Sequence, residues 1–256
     1  MQIQLLRHAT LIVKIAGLTL MVDPMLSQAE AMEPVANAAV TRRIPMVPLP
    51  LDDDALMRLI HSVDAVLVTH THRDHWDERA RQLLSHQVKL FCQPEDETRL
   101  RSEGFEAVTA VVEKVIWRGL QVSRTGGRHG SGDIGQKMGP VSGFVLQAEG
   151  EPSLYIAGDT IWCDEVAEAL RTYQPAVTMV NTGAAQFNVG GPITMTAEDV
   201  VTVCRELPTT RVIAVHMEAV NHCLLTRTEL CQTLEIEGLI AQVIIPADGE
   251  VAFEQG

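Results

Sequence analysis

The stretch DAVLVTHTHRDHWD, residues 64–77, decides the fold. Its opening, Asp64 to Thr69, is short, apolar and β-branched, and reads as a buried strand. Immediately after it stand His70, His72, Asp74 and His75, three imidazoles and a carboxylate within six residues. An extended backbone sends His70 and His72 to one face, and a turn into a helix over 77–85 swings Asp74 and His75 towards the same point. With nine His and 33 acidic residues in the chain, an HxHx(D/E)H run arises by chance with a probability on the order of 10⁻³. A solvated polar turn has no use for clustered histidine that Ser or Asn would not serve. Imidazole combined with carboxylate suits zinc, manganese or iron.

Upstream, residues 2–7, 10–15 and 18–22 read as a β-meander turning at Ala16-Gly17 and closed by Asp23-Pro24. Residues 27–50 carry Pro34, Pro45, Pro48 and Pro50 without a sustained period, and so long an unpatterned connection points to a cover over a site or to disorder. Asp52 to Asp54 supply an N-cap and first-turn acids for a helix through about Ile60. Downstream, the pattern predicts strand 88–92, helix 95–103 and strands near 107–112, 113–118 and 120–125. A second half follows with strands 142–147 and 153–157, helix 164–172, strand 176–181, helix 196–207, strand 211–215, helix 226–237 and a final strand pair over 242–253. No Ser/Gly-rich linker divides the chain. The predicted architecture is one domain, 1–256, of the α/β (α+β) class: a four-layer αββα sandwich of two facing sheets with helices outside.

The composition narrows the function. The 256 residues are 46% hydrophobic and 21% charged, a globular balance, and a chain of this length needs no metal merely to stabilise a core. Any metal is therefore there for chemistry. Twenty Lys and Arg against 33 Asp and Glu give a formal charge of −13, which disfavours nucleic acid and anionic lipid as partners. Five scattered Cys without CxxC spacing suggest neither a disulfide framework nor a thiolate zinc site, and so predict a cytoplasmic location. The apolar N-terminus is interrupted by Arg7, His8, Lys14 and Gly17 and reads as neither signal peptide nor membrane span.

Three later segments add donors at predicted strand ends. His129 lies in TGGRHG (125–130), Asp159 in LYIAGDT (154–160), and His216 directly follows RVIAV (211–215). Each is weak alone, but their combination and order with the 70–75 cluster resemble the motifs of the metallo-β-lactamase-fold hydrolases over nearly the whole chain. The segments LLRHATLIVKIAG, VDPMLS and VIAVHMEAVNHC resemble the bacterial branch related to ascorbate-6-phosphate lactonase. The resemblance implies that His70, His72 and His129 hold one metal, Asp74, His75 and His216 a second, and that Asp159 bridges them. It implies two divalent ions, zinc first and manganese second, sharing a metal-bridging hydroxide as nucleophile. Asp74 would orient that nucleophile and carry a proton to the leaving group, making it the candidate catalytic residue. In this branch the His8 position lies near the metals without being a ligand, and Asp23 orients a ligating imidazole.

Other residues admit two readings. His222 either faces the substrate or caps helix 226–237. Cys163 and Cys223 read as buried apolar volume, and His61 and His86 as surface residues. Arg42, Arg43, Arg73, Arg128 and Lys137 fall in the long loop or beside the ligand motifs and tilt the substrate towards a small anionic ester, lactone or phosphodiester. Segments 27–50, 126–139 and 183–191 would wall the pocket, with Phe187 or Met138 supplying an apolar side. The leading expectation is a binuclear metal-dependent hydrolase acting on a small molecule, with homo-oligomerisation left open. The alternatives are a mononuclear-iron oxidoreductase of the same fold, persulfide dioxygenase-like, and a non-catalytic metal-binding regulatory protein.

Overall fold

In the computed structural model, which describes residues 1–255, the chain builds one arrangement twice: an antiparallel meander, then parallel strands joined through helices. The first sheet holds β1 (Gln2–Arg7), β2 (Thr10–Ile15), β3 (Leu18–Val22), β4 (Ala65–Val68), β5 (Lys89–Cys92) and β6 (Val108–Ala110). The second holds β7 (Lys114–Trp117), β8 (Leu120–Thr125), β9 (Gly143–Gln147), β10 (Leu154–Ile156), β11 (Val177–Asn181), β12 (Arg211–Val215) and β13 (Val243–Ile244). A last strand, β14 (Val251–Glu254), returns to the first sheet and lies beside β1, so the orders are β14-β1-β2-β3-β4-β5-β6 and β13-β12-β11-β10-β9-β8-β7.

Alternation along the strands explains the layering. In β3, Leu20 and Val22 enter the core between the sheets while Met21 faces the other way; in β4, Ala65 and Leu67 face inward and Val66 and Val68 outward. Both faces are buried, which is why these strands read as unbroken apolar runs. The central layer packs Leu5, Leu67 and Phe91 of the first sheet against Phe144, Ile156 and Ile213 of the second. Helices α1 (Asp53–His61), α2 (Glu78–Leu83) and α3 (Glu97–Ser102) cover the outer face of the first sheet through Leu56, Ile60, Ala80 and Leu100. Helices α5 (Asp164–Tyr173), α6 (Ala197–Glu206) and α7 (Arg227–Ile236) cover the second through Val166, Leu170, Val200 and Leu234. The four-layer αββα expectation holds.

Three local expectations differ. The final strand pair does not pair with itself, because β13 lies against β12 and β14 against β1, in different sheets. The adjacent strands expected over 107–118 likewise part company, β6 closing one sheet and β7 opening the other. A short helix, α4 (Gly132–Met138), occupies the glycine-flanked 126–139 segment; Gly132 and Gly135 carry a helix penalty that masked it.

Segment 27–50 is ordered by its own Met32–Ile44 bridge and by side chains from elsewhere. The buried Arg7 guanidinium donates to the carbonyls of Met25, Ser27 and Val47 at 2.7–3.0 Å. Asn221 bonds both the N–H and the carbonyl of Val35. Among the described residues no helix is long and apolar enough to cross a membrane.

Candidate metal centre

Strand direction delivers the donors. β1, β3 and β4 run the same way, and so do β8, β10, β11 and β12. Their C-terminal ends carry His8, Asp23, His70, His129, Asp159 and His216 to one edge of the sandwich. His72, Asp74 and His75 follow in the turn that leads into α2. The backbone N–H of His216 donates to the His8 carbonyl at 3.0 Å, tying the two sheets together there.

The seven residues expected as ligands come together. Donor atoms of His70, His72 and His129 lie within 4.8 Å of one another, as do those of His70, His75 and Asp159 and those of His8, Asp74, His75 and His216. Asp159 is central: Oδ2 lies 3.2 Å from His75 Nε2, 3.6 Å from His129 Nε2 and 3.9 Å from His70 Nε2, while Oδ1 lies 3.2 Å from His216 Nε2. Asp74 Oδ2 lies 3.7 Å from both His75 Nε2 and His216 Nε2, and 3.2 Å from His8 Nε2. His8 thus joins the second group geometrically, its ring centroid 3.7 Å from that of His216.

Neighbours of the imidazoles set which nitrogen faces the cluster. The Thr69 hydroxyl donates to Asp23 Oδ2 at 2.7 Å, so it accepts from His70 Nδ1 at 3.2 Å and leaves the His70 Nε2 lone pair inward. His75 Nδ1 donates to Asp23 at 2.9 Å and His129 Nδ1 to the Ile193 carbonyl at 2.8 Å. His216 Nδ1 faces Cys223 Sγ at 3.5 Å. His75 Nε2 and His216 Nε2 face each other at 3.2 Å, near the ~3.3 Å separation of two nitrogens on a tetrahedral zinc with bonds of about 2.0–2.1 Å. A cation between them satisfies both, so the residues fit the metal that the fold implies.

The charge pattern agrees. Burial raises the Asp159 pKa, but His216 and His75 more than offset this and hold the carboxyl well below the usual carboxylate range. Burial acts on Asp74 in the same sense and is overcome by His75 and His8. Burial pushes His70 well down, with the charge of His75 adding to it, and lowers His129 to about 4, keeping both imidazoles neutral as ligation requires. Burial also lowers His75, yet Asp159, Asp74 and Asp23 outweigh it and raise that imidazole well above its ordinary value. Three carboxylates buried this closely define a place for positive charge.

The backbone is strained at the same edge. His8, Asp23 and His216 each follow a strand in the left-handed region, with φ of 60°, 44° and 71°, at a cost on the order of 1–3 kcal/mol per residue. Gly158, before Asp159, has φ 71°, and a Cβ there would lie 2.9 Å from the Ser142 carbonyl oxygen. Only glycine fits.

Helix α4, three residues beyond His129, borders a cleft of about 630 Å³ lined by Ile134, Met138, Phe187 and Val189 with Asp133 and Lys137 at its polar side. A Cβ added to Gly130, the neighbour of His129, would lie 3.4 Å from Ile134, and the Phe187 ring lies 5.8 Å from that of His222. His222 is buried and is not a helix cap, since Thr226 caps α7 in a capping box with Glu229. Several expected anion contacts are engaged elsewhere: Arg42 pairs with Glu30, Arg43 with Glu33, and Arg128 with Asp164 and Glu165. His61 and His86 are exposed, and Cys163 packs under the helices of the second sheet. Sequence reasoning missed Asn181, whose Nδ2 donates to Asp159 Oδ1 at 2.7 Å; its position at the end of a strand parallel to β10 was the available signal.

Two facing mixed sheets with helices outside, and imidazoles and carboxylates gathered at one edge, define the metallo-β-lactamase class. The Beta-lactamase superfamily domain matches residues 19–217, and the chain belongs to that superfamily as a metal-dependent hydrolase. It is 36% identical over 256 residues to the UPF0173 protein YddR of Bacillus subtilis, covering 98% of each chain. The crystal structure of an isothiocyanate hydrolase from Delia radicum gut bacteria superposes with a TM-score of 0.92 at 38% identity, covering 98% of both chains. That of a possible metal-dependent hydrolase from Veillonella parvula DSM 2008 gives 0.93 at 32% identity, again over 98% of both.

Proposed function

We propose that the site adds water to a small, uncharged electrophile bearing an apolar group, with an organic isothiocyanate as the concrete candidate. The observation that carries this reading is the apolar cleft bordered by α4, the helix that follows His129, whose Ile134, Met138, Phe187 and Val189 suit a hydrocarbon better than a phosphate. The likeness to an isothiocyanate hydrolase across 98% of both chains supports it. A small anionic ester, lactone or phosphodiester is disfavoured because Arg42, Arg43 and Arg128 are taken up by acidic neighbours.

Two divalent ions, zinc first and manganese second, would be held by His70, His72 and His129 and by Asp74, His75 and His216, with Asp159 shared, and would supply a water of lowered pKa. The reaction is R–N=C=S + H₂O → R–NH₂ + COS. The water oxygen bonds to the central carbon, the C–N bond breaks, and both water protons end on nitrogen. Asp74 accepts a proton from the attacking water and passes it to the departing nitrogen. Asn181 and Asp23 hold Asp159 and His75 in place. In this reading the single domain expected over 1–256 acts as one unit on a small molecule, without nucleic acid or membrane.

The test is release of benzylamine and carbonyl sulfide from benzyl isothiocyanate by metal-loaded protein, beside a phosphodiester and a lactone. The expected kcat/KM for the isothiocyanate is about 10⁴ M⁻¹ s⁻¹ or more. Turnover of the phosphodiester or lactone instead would overturn the reading.

A further inference from the structure

We propose that His222 is a positioning residue, its ring holding the polar end of the substrate by a hydrogen bond while Phe187 carries the apolar group in the cleft. The inference rests on the functional reading above and adds the division of labour within the site.

The first observation is that His222 is only 6% exposed, yet neither ring nitrogen has a hydrogen-bond partner among the described residues, and Nδ1 is fully enclosed. Native structures seldom leave a buried imidazole unsatisfied, and with Nδ1 enclosed the nitrogen left to meet a ligand is Nε2. The second is location. His222 lies in the connection that leaves β12 and begins with His216, and its ring lies 5.8 Å from Phe187, which lines the cleft. The imidazole thus sits on the segment that joins the His216 strand end to the apolar wall. The third is how the position is fixed. The His222 carbonyl accepts the Gln186 N–H at 3.0 Å, and the Gly183 carbonyl accepts that of Leu225 at 3.0 Å, so the turn after β12 and the wall segment 183–191 are stitched together. Phe187 and His222 consequently move as one piece. Burial lowers the His222 pKa, so at neutral pH the ring is uncharged, with one nitrogen a donor and the other an acceptor.

The two residues then act on different parts of the ligand. His222 acts on the polar end common to all substrates of the class, and Phe187 on the group that varies. With zinc-loaded protein, His222→Ala is expected to lower kcat/KM for benzyl and methyl isothiocyanate alike, by about 10-fold. Phe187→Ala is expected to lower the benzyl-to-methyl preference by about 10-fold. His222→Gln, which restores a donor and an acceptor, is expected to recover part of the loss. Elemental analysis should find zinc at the wild-type level in all three variants. Benzamide, a neutral aromatic that does not react, supplies a readout separate from turnover, and its affinity should fall in both alanine variants.

Unchanged kcat/KM and benzamide affinity in His222→Ala would overturn the inference and leave the functional reading standing. Loss of zinc from both His222→Ala and His222→Gln would overturn it too, by making the ring a structural part of the metal site. If the wild-type protein hydrolyses no isothiocyanate, the functional reading falls and benzamide decides. Weaker binding to His222→Ala then sustains the inference, and equal binding overturns it.

Discussion

Asp74 has two tasks that a single substitution separates. Its Oδ2 faces His75, His216 and His8, so it is placed both to bind a cation and to move a proton. Asp74→Asn keeps the shape and one oxygen donor but loses the charge and the basicity. Zinc held by His70, His72 and His129 is expected to stay, and the second equivalent to bind more weakly by titration. At saturating zinc, kcat on benzyl isothiocyanate should remain depressed by roughly 10²-fold, the size of a lost general acid or base. Full recovery of rate with added metal would reduce Asp74 to a ligand. The donors themselves were legible because few side chains can ligate a divalent ion, so their spacing carries meaning. Their partners were not: the hydrogen bonds that Thr69, Asn181 and Cys223 offer can come from many side chains, and nothing in sequence singles these out. The partners of the arginines were not legible either, because an acid distant in sequence, such as Glu165 beside Arg128, is invisible until the chain folds.

Helix α2 shows how a secondary-structure boundary serves the site. Asp77 caps it, one carboxylate oxygen accepting the Ala80 N–H at 2.7 Å and the other the Ser27 N–H at 2.6 Å, with the residue only 1% exposed. It therefore fixes both the exit of the 70–75 turn and the start of the 27–50 cover. Asp77→Ala removes a cap and strands a buried N–H, and should lower unfolding stability by about 2–4 kcal/mol. The denaturant midpoint measures it, and a change below about 0.5 kcal/mol would mean that water replaces both bonds. Elements with clear periodicity or a capping acid, such as α1 and α6, lay close to their expected places. The exceptions have local causes. Glycines hid α4, and β13 consists of two residues, too short to show whether its partner is β14 or β12.

The two sheets meet through an apolar central layer and, at one edge, through donors drawn from both. His70 and His75 come from the first sheet, His129, Asp159 and His216 from the second, so a cation bound there cross-links the halves. Chelation should therefore lower thermal stability. At free metal about 1,000 times Kd the linkage is about 4 kcal/mol, which for a chain of this size corresponds to a fall of roughly 10 °C in Tm. Scanning calorimetry with and without chelator checks it, and a Tm insensitive to zinc would mean that the edge is already rigid without metal. That two sheets face each other was legible from strand count and twofold burial. Which strand closes each sheet was not, because pairing of Gln2 with Glu254 leaves no mark on either segment alone.

That pairing also sets an order of assembly during synthesis. β1 leaves the ribosome well ahead of its neighbour β14, which lies at residues 251–254. At about 5–20 residues per second the interval is roughly 12–50 s, during which the free edge of β1 is open to pairing with any strand that meets it. Gln2 and Gln4, which alternate with the buried Ile3, make that edge a less apolar template for a stranger. A nascent chain stalled before residue 251 would therefore display an unzipped seam, and quality control in the cell would meet this protein first along β1.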